Sequence, residues 1–280
     1  MPIDPVGAMR YTKLEKSGAG RRISCKPVAS STAPAGGTVL LGNAVEGSCA
    51  LAASLAPPRR SEFSLDPTES ILFALAQAVE QRDSETAGHC ERLAFMAVAM
   101  GMAMGLERAD LLALYRGGYL HDLGKVGIPD SILYKPGALT EEEWVIMRSH
   151  TTRGEEICRP LTSLRPVLPI IRHHHERWDG SGYPDRLRGE EIPLLARIMQ
   201  IADIYDALIS VRPYKSALPR SGAVRIIKDE TERGWRDPSV VEVFLRLHEK
   251  VISRITDYTA AADSNLEAMR TALSGLDRIM

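Results

Sequence analysis

The feature that most constrains this chain is the segment YLHDLGKVGIP at residues 119–129, in which His121 and Asp122 stand side by side within an apolar run. Burying an imidazole and a carboxylate is costly unless hydrogen bonds or a metal ion compensate them. The dipeptide alone fits two interpretations equally: a buried histidine satisfied by its neighbour, or two ligands of adjacent ions with the carboxylate bridging. Six of the seven histidines lie between residues 89 and 175, and this clustering favours the second.

Composition narrows the class of protein. The 280 residues are 44% apolar and 25% charged, which is ordinary for a globular chain. A net charge of −1 argues against general binding of a nucleic-acid polymer. The four cysteines form no CxxC pair, which disfavours disulfide and zinc-ribbon folds and favours a reducing, cytoplasmic location. We find no signal peptide and no convincing membrane span.

Apolar residues recur at helical spacing and no segment alternates with period two, so the predicted class is all-α. Residues 1–65 are rich in Gly, Ala, Ser and Pro, which predicts a disordered leader without a recognisable sensor domain. Order is expected from Asp66-Pro67, a helix start. That helix should bury one stripe: Ile71, Leu72, Leu75, Ala76 and Val79. A helix from Arg108 to Leu123 should stop at a left-handed Gly124, and residues 256–280 should form a C-terminal helix.

Further histidines and carboxylates extend the pattern of the His–Asp pair. Glu85 and His89 are four residues apart on one helical face, although such a pair alone is more often solvated surface. His150 is unremarkable by itself, whereas the run HHHE at 173–176 is hard to explain as core packing, with an exposed histidine tract as its alternative. Asp203 and Asp206 share one face of an apolar helix, where a cation would compensate both.

These groups together exceed the coordination sphere of one ion, and no cysteine belongs to the pattern. Imidazole and oxygen ligands suit two or three divalent ions, iron or manganese, better than a structural zinc. Such a cluster activates water as hydroxide and neutralises a phosphoryl group. Lys125, Arg212 and Lys215 would each be ordinary solvated charges alone, but beside a metal cluster they predict a phosphate clamp.

Three segments carry a family resemblance: HDLGKVGIPDSILYKPG, HHHERWDGSGYP and ARIMQIADIYDALISVRPYK, in that order. They resemble the HD-GYP domain, a bacterial subgroup of the HD-domain metal-dependent phosphohydrolases, and we assign residues 66–255 to such a catalytic domain. The resemblance implies an HD-type helical bundle with a metal cluster in its core. It also implies hydrolysis of the second messenger cyclic di-GMP to pGpG, often followed by GMP, through attack by a metal-activated hydroxide.

The resemblance also implies roles for individual residues. His121, Asp122 and Lys125 would be catalytic, and Tyr183, Arg212 and Lys215 would bind substrate. The implied metal ligands are Glu85, His89, His121, Asp122, His150, His174, His175 and Asp203. An acid at position 85 is typical of members that hold a third ion. His173 is extra to this set, with a supporting role expected.

Partners and rival functions follow from the same resemblance. The GYP loop at 182–184 is used in the family to recruit GGDEF-domain proteins, and a homodimer is compatible with the pattern. A cyclic di-GMP receptor with little turnover is the alternative function, although a complete ligand set argues against it. Another HD-type phosphohydrolase is disfavoured by the GYP and RPYK segments, while 3′,3′-cGAMP stays open as a related substrate.

Overall fold

The computed structural model describes residues 67–83, 88–210, 217–252 and 255; the predicted leader and C-terminal helix lie outside them. The described part is all helical and contains no strand, which confirms the predicted class. Its α-helices are α1 (Pro67–Asp83), α2 (His89–Ala103), α3 (Arg108–Leu120), α4 (Asp130–Leu133), α5 (Glu141–Arg148), α6 (His150–Cys158), α7 (Leu168–His173), α8 (Leu194–Ile209), α9 (Arg220–Glu232) and α10 (Pro238–Leu247). Short 3₁₀ turns occupy Leu123–Gly127, Thr162–Val167 and Gly189–Glu191, and a π turn occupies His248–Ile252.

Helix α1 begins at Pro67 as predicted, but it presents a different face to the core. Ile71 and Leu75 are 70% and 43% exposed, so the expected apolar stripe is wrong for these two residues. Ala76 and Val79 are buried as predicted, and the third buried apolar side chain is Phe73, which the predicted stripe did not include. The ring of Phe73 stacks on Tyr119 of α3 with centroids 4.7 Å apart. The helix is therefore rotated so that its aromatic residue packs beside the His–Asp segment.

Helix α2 lies at the centre of the bundle and packs against α3 and α8. Its inward residues Leu93, Met96, Ala97 and Met100 are fully buried, as predicted. The backbones of α2 and α3 approach closely at Gly118, where an added Cβ would lie 2.6 Å from the backbone of Ala94. This approach sets the distance between His89 at the start of α2 and His121, which directly follows α3.

Helix α3 ends at Leu120, three residues earlier than the sequence suggests. His121 and Asp122 form a turn that leads into the 3₁₀ turn at Leu123–Gly127, so they do not lie inside a helix. Gly124 is not left-handed either. A Cβ at Gly124 would overlap the carbonyl oxygen of His150. This glycine is required because the His–Asp turn packs directly on the backbone of α6.

The capping box predicted at Thr140 is present: Glu143 N donates to Thr140 Oγ1 over 3.3 Å, and Thr140 N donates to Glu143 Oε2 over 2.8 Å. The helix that it opens is interrupted at Ser149, which separates α5 from α6 and makes His150 the first residue of α6. No helix in the described part of the chain is long and apolar enough to cross a membrane.

Candidate metal centre

The turn after α3 places the His–Asp pair at the middle of the site. Asp122 has φ −102° and ψ 6°, a sparsely populated backbone region in which many active-site residues are found. His121 is 1% exposed, and its Nδ1 lies 3.2 Å from the carbonyl oxygen of Gly118. That contact leaves Nε2 directed toward Asp122 Oδ2, 3.4 Å away.

One group of candidate ligands gathers on one side of Asp122. It consists of Asp122, His150, His174 and His175, which offer ligand atoms within 4.8 Å of one another. Asp122 Oδ1 lies 3.3 Å from His150 Nε2 and 3.8 Å from His174 Nε2. α6 supplies His150, and the turn directly after α7 supplies His174 and His175.

A second group lies on the other side of Asp122. His89, His121 and Asp203 also offer ligand atoms within 4.8 Å of one another. His89 Nε2 lies 3.8 Å from Asp203 Oδ1. Because the two oxygens of Asp122 face different histidine groups, this carboxylate is placed to bridge two ions. Glu85, the candidate for a third ion, lies outside the described residues.

Three histidines of the two groups, His121, His150 and His174, have Nδ1 next to a backbone carbonyl. His150 Nδ1 lies 2.7 Å from Met147 O, and His174 Nδ1 lies 2.9 Å from Ile171 O. A ring whose Nδ1 donates its proton to a carbonyl keeps a lone pair on Nε2 for a metal. The same contact fixes the orientation of the ring, so the nitrogens point inward before any ion binds.

The buried atoms of the cluster provide a test of whether the residues fit metal ions. Four of them have no hydrogen-bond partner: His121 Nε2, Asp122 Oδ1, His150 Nε2 and His174 Nε2. A buried polar atom without a partner costs about 1–3 kcal/mol. Four such atoms directed at a common space are explained by cations that would satisfy them, and the cysteine-free donor set suits divalent ions.

In the metal-free cluster, the pKa values of the histidines are shifted in opposite directions. Burial lowers the pKa of His150 to about 4, and burial together with the neighbouring histidines holds the pKa of His175 well below its usual value. Burial also opposes protonation of His121, but Asp122 outweighs it and raises the pKa of His121 to about 9. Burial opposes ionisation of Asp122, yet Lys125 and His121 hold the pKa of Asp122 well below its usual range. The metal-free cluster therefore combines neutral imidazoles at His150 and His175 with a protonated His121 that pairs with the ionised carboxylate of Asp122.

Asp206 differs from the sequence-based interpretation, which paired it with Asp203 as a cation-binding carboxylate. It lies outside both ligand groups, and its partners are Arg92 and His89. Arg92 Nε donates to Oδ1 over 2.6 Å and Nη2 to Oδ2 over 2.9 Å. The sequence analysis missed Arg92, although its spacing of three residues from His89 places both on one helical face.

The remaining predicted residues surround the cluster or lie outside the described part. Lys125 Nζ lies 2.8 Å from Asp122 Oδ2, and the ring of Tyr183 lies 4.9 Å from that of His175 between centroids. Arg212 and Lys215 fall in the segment 211–216, outside the described residues. His173 belongs to neither ligand group: its Nδ1 lies 3.5 Å from Asp185 Oδ2.

The loop that follows the histidine run is tied to the bundle at two points. Glu176 is fully buried, and its Oε1 accepts a hydrogen bond of 2.7 Å from Asp185 N. Arg172 holds the carboxylate of Asp185 through two contacts of 2.7 and 2.8 Å, and it also contacts Glu155 of α6 over 2.7 Å. These contacts position the GYP loop beside His175.

Comparison with known proteins places the chain in a family. A family model described as HD domain matches residues 74–240. A cyclic di-GMP phosphodiesterase of Vibrio cholerae is 40% identical over 206 residues, which cover 68% of this chain and 42% of the relative. A cyclic di-GMP phosphodiesterase of Thermotoga maritima is 42% identical over 185 residues, which cover 65% of this chain and 50% of the relative.

Other relatives carry a different substrate in their names. A 3′3′-cGAMP-specific phosphodiesterase of Vibrio cholerae is 37% identical over 192 residues, which cover 67% of this chain and 36% of the relative. The crystal structure of a cyclic GMP-AMP specific phosphodiesterase of V. cholerae superposes with a TM-score of 0.53 at 22% identity, over 73% of this chain and 53% of that one.

The chain spans half or less of the length of these three curated relatives. The family match nevertheless covers more than half of this chain, and the helical fold and the histidine–aspartate groups agree with it. The chain therefore belongs to the HD domain family, as its HD-GYP-like motifs predict.

Proposed function

We propose that this chain is a metal-dependent phosphodiesterase that hydrolyses cyclic di-GMP to linear pGpG. The observation that carries the proposal is the position of Asp122 between two groups of histidines whose buried nitrogens lack partners. Two relatives at 40% and 42% identity are named cyclic di-GMP phosphodiesterases, which supports this substrate.

The proposed cofactors are two divalent ions, iron or manganese, with a third if Glu85 contributes. Asp122, His150, His174 and His175 would hold one ion, and His89, His121, Asp122 and Asp203 the other. When bound, such ions supply an activated water near neutral pH and neutralise charge on the phosphodiester.

The chain's own groups would bind and orient the substrate. The backbone-anchored histidines keep the site rigid, so little reorganisation is needed when substrate enters. Lys125, whose ammonium group lies beside Asp122, is proposed to stabilise a phosphoryl oxygen or the departing oxygen. Arg212 and Lys215 are proposed as a clamp for the phosphates, and Tyr183 as a ligand contact. A cytoplasmic location, a homodimer and recruitment of GGDEF-domain proteins through loop 182–184 stay predictions.

The test is chromatographic. Anaerobically purified, metal-analysed protein is incubated with cyclic di-GMP, and pGpG and GMP are quantified. Asp122→Ala should lose both metal and product, because it removes the bridging carboxylate. Asp130→Ala is a matched control, since Asp130 is 70% exposed and pairs with Arg82 on the surface; it should keep metal and activity.

Two results would contradict the proposal. Cyclic di-GMP that stays bound and intact across iron and manganese loading would instead indicate a receptor. Turnover equal to wild type in metal-stripped Asp122→Ala protein would exclude the metal-dependent mechanism.

A further inference from the structure

A cavity of about 550 Å³ opens beside the metal centre. α5 and α6 form one wall and the GYP loop forms the other. His175 and Tyr183 belong to its lining, and His175 is also a member of the first ligand group. The cavity therefore shares a wall with the candidate metal site. Its volume lies in the range typical of small-molecule sites, about 300–1,000 Å³.

The charged side chains that line this cavity are basic. Arg148, Arg177 and Arg186 line it together with the hydroxyl residues Ser149, Thr152 and Ser181, and none of the described lining residues is acidic. Such a lining offers many hydrogen-bond donors and few charged acceptors. It selects a ligand that presents acceptor atoms to it.

The cavity also offers flat surfaces. The guanidinium of Arg148 lies 5.4 Å from the ring centroid of Tyr183, and both residues line the cavity. Trp144 supports Arg148 at 5.5 Å without belonging to the lining itself. Arg177 is only 5% exposed and lies 4.1 Å from the ring centroid of Trp235, so it forms part of a fixed wall. Aromatic rings and guanidinium planes are the surfaces on which nucleobases stack. A phosphate alone would make no use of them.

We propose that this cavity receives a guanine base of the cyclic dinucleotide, and that Arg148 distinguishes guanine from adenine. The inference rests on the proposed function. Guanine presents two adjacent acceptors, O6 and N7, which match the two-pronged guanidinium, whereas adenine replaces one of them with an amino donor. Arg148 is the best placed of the three arginines because its guanidinium lies over the ring of Tyr183, which also lines the cavity. Arg177 is buried against Trp235, and Arg186 is exposed.

The test compares binding of cyclic di-GMP and cyclic di-AMP to the full chain by calorimetry, both in chelator and after manganese loading. Wild type should prefer cyclic di-GMP. Arg148→Ala should weaken cyclic di-GMP binding by about 10- to 100-fold, the worth of one bidentate arginine–guanine contact. Binding of cyclic di-AMP should change little, so the preference should collapse.

Two further variants test whether the loss of guanine preference comes from the shape of the Arg148 side chain. One variant keeps the positive charge, and the other removes an arginine elsewhere in the fold. Arg148→Lys keeps the charge but replaces the planar fork by a flexible ammonium group, so its guanine preference should fall well below that of wild type. Arg159→Ala removes an arginine that pairs with Glu155 at the end of α6, outside the cavity, and should bind both dinucleotides like wild type. All variants should retain the wild-type melting transition.

The outcomes distinguish this inference from the proposed hydrolysis. Equal loss of both ligands in Arg148→Ala, retention of the full wild-type preference in Arg148→Lys, or no preference in wild type would overturn the guanine site. An Arg148-dependent preference in a protein that forms no product would uphold the site while the proposed hydrolysis fails. No binding of either dinucleotide in either state would overturn the site.

Discussion

His89 Nδ1 lies 2.7 Å from Asp206 Oδ2, a hydrogen-bond distance, and the same carboxylate is held by two contacts from Arg92. Asp206 is fully buried. Burial opposes its ionisation, but the hydrogen bonds from His89 and Arg92 hold the pKa of Asp206 well below its usual range. A permanently ionised carboxylate behind the ring directs the lone pair of His89 Nε2 toward Asp203 and strengthens it as a ligand.

The first prediction concerns the way in which Asp206 orients the ring of His89. Asp206→Asn should weaken binding of the ion held by His89, His121 and Asp203 by about 10- to 100-fold, the usual cost of losing a hydrogen-bonded carboxylate behind a metal-bound histidine. The physical reason is that an amide neither fixes the ring tautomer nor polarises it as a carboxylate does. Metal titration followed by elemental analysis provides the measurement, with turnover as a second readout.

Ser210→Ala is the matched control for Asp206→Asn. Ser210 Oγ contacts the same carboxylate over 3.3 Å, a long hydrogen bond that contributes little beside the guanidinium. This variant should bind metal like wild type. If Asp206→Asn retained full metal content at limiting metal concentration, Asp206 would have no role in orienting His89.

The second prediction concerns the contact between the His–Asp turn and α6. Gly124→Ala should destabilise the fold and reduce metal content, because its Cβ would overlap His150 O and push the turn away from α6. Overpacking of this kind costs about 1–3 kcal/mol, and more when only backbone can give way. Thermal denaturation measures the loss of stability.

Gly222→Ala provides the comparison for Gly124→Ala. A Cβ at Gly222, in α9, would meet its nearest atoms at 3.8 Å, an ordinary contact. Alanine in a helix is favoured over glycine by up to about 1 kcal/mol, so the melting temperature should stay level or rise. Equal melting temperatures for Gly124→Ala and wild type would show that the turn does not pack on α6 as described.

The third prediction concerns pH and the metal-free protein. His121 has a pKa raised from 6.5 to about 9, so its protonation stabilises the fold below pH 6.5 and this contribution is lost as pH rises through 9. His150 has a pKa lowered from 6.5 to about 4, so the unfolded chain binds more protons between these values and stability rises with pH there. Stability should therefore peak near pH 6.5.

Chemical denaturation of metal-free protein between pH 4 and 9 tests this expectation. Metal loading should remove the decline toward pH 9, because a coordinated imidazole binds in its neutral form and the ion replaces the proton. Metal binding near pH 7 should accordingly release protons, which calorimetry in buffers of different ionisation enthalpy detects. A metal-free stability that rises steadily to pH 9 would contradict the raised pKa of His121.

Several parts of the site could be read from local patterns in the sequence. The His121–Asp122 pair, the histidine run and Asp203 stand in apolar surroundings, where their burial cost already implied a shared partner. The fully buried face of α2 followed from its spacing, because every turn of that helix is surrounded by other helices. The buried face of α1 could not be predicted in the same way. Ile71 and Leu75 are exposed, although they fit the same periodicity as the residues that are buried.

Other features depend on contacts between residues distant in the sequence. The partnership of Arg92 with Asp206 joins positions 114 apart, and no spacing rule connects them. The early end of α3 goes with the packing of the following 3₁₀ turn against α6, because Gly124 allows the backbones of the turn and of α6 to meet. The arginines of the cavity come from α5 and from the loop after α7, so only the folded chain reveals their common surface.

The amino-acid sequence was sufficient for the helical class, the family and the chemical types of the ligands, because these depend on periodicity and on residue types within short segments. The folded structure was needed for the division of the candidate ligands into two groups beside Asp122 and for the orientation of imidazoles such as His150 and His174. Those properties depend on distances across the bundle and on backbone carbonyls of particular turns. Such distances are set by how helices pack, which the spacing of residues along one helix does not determine.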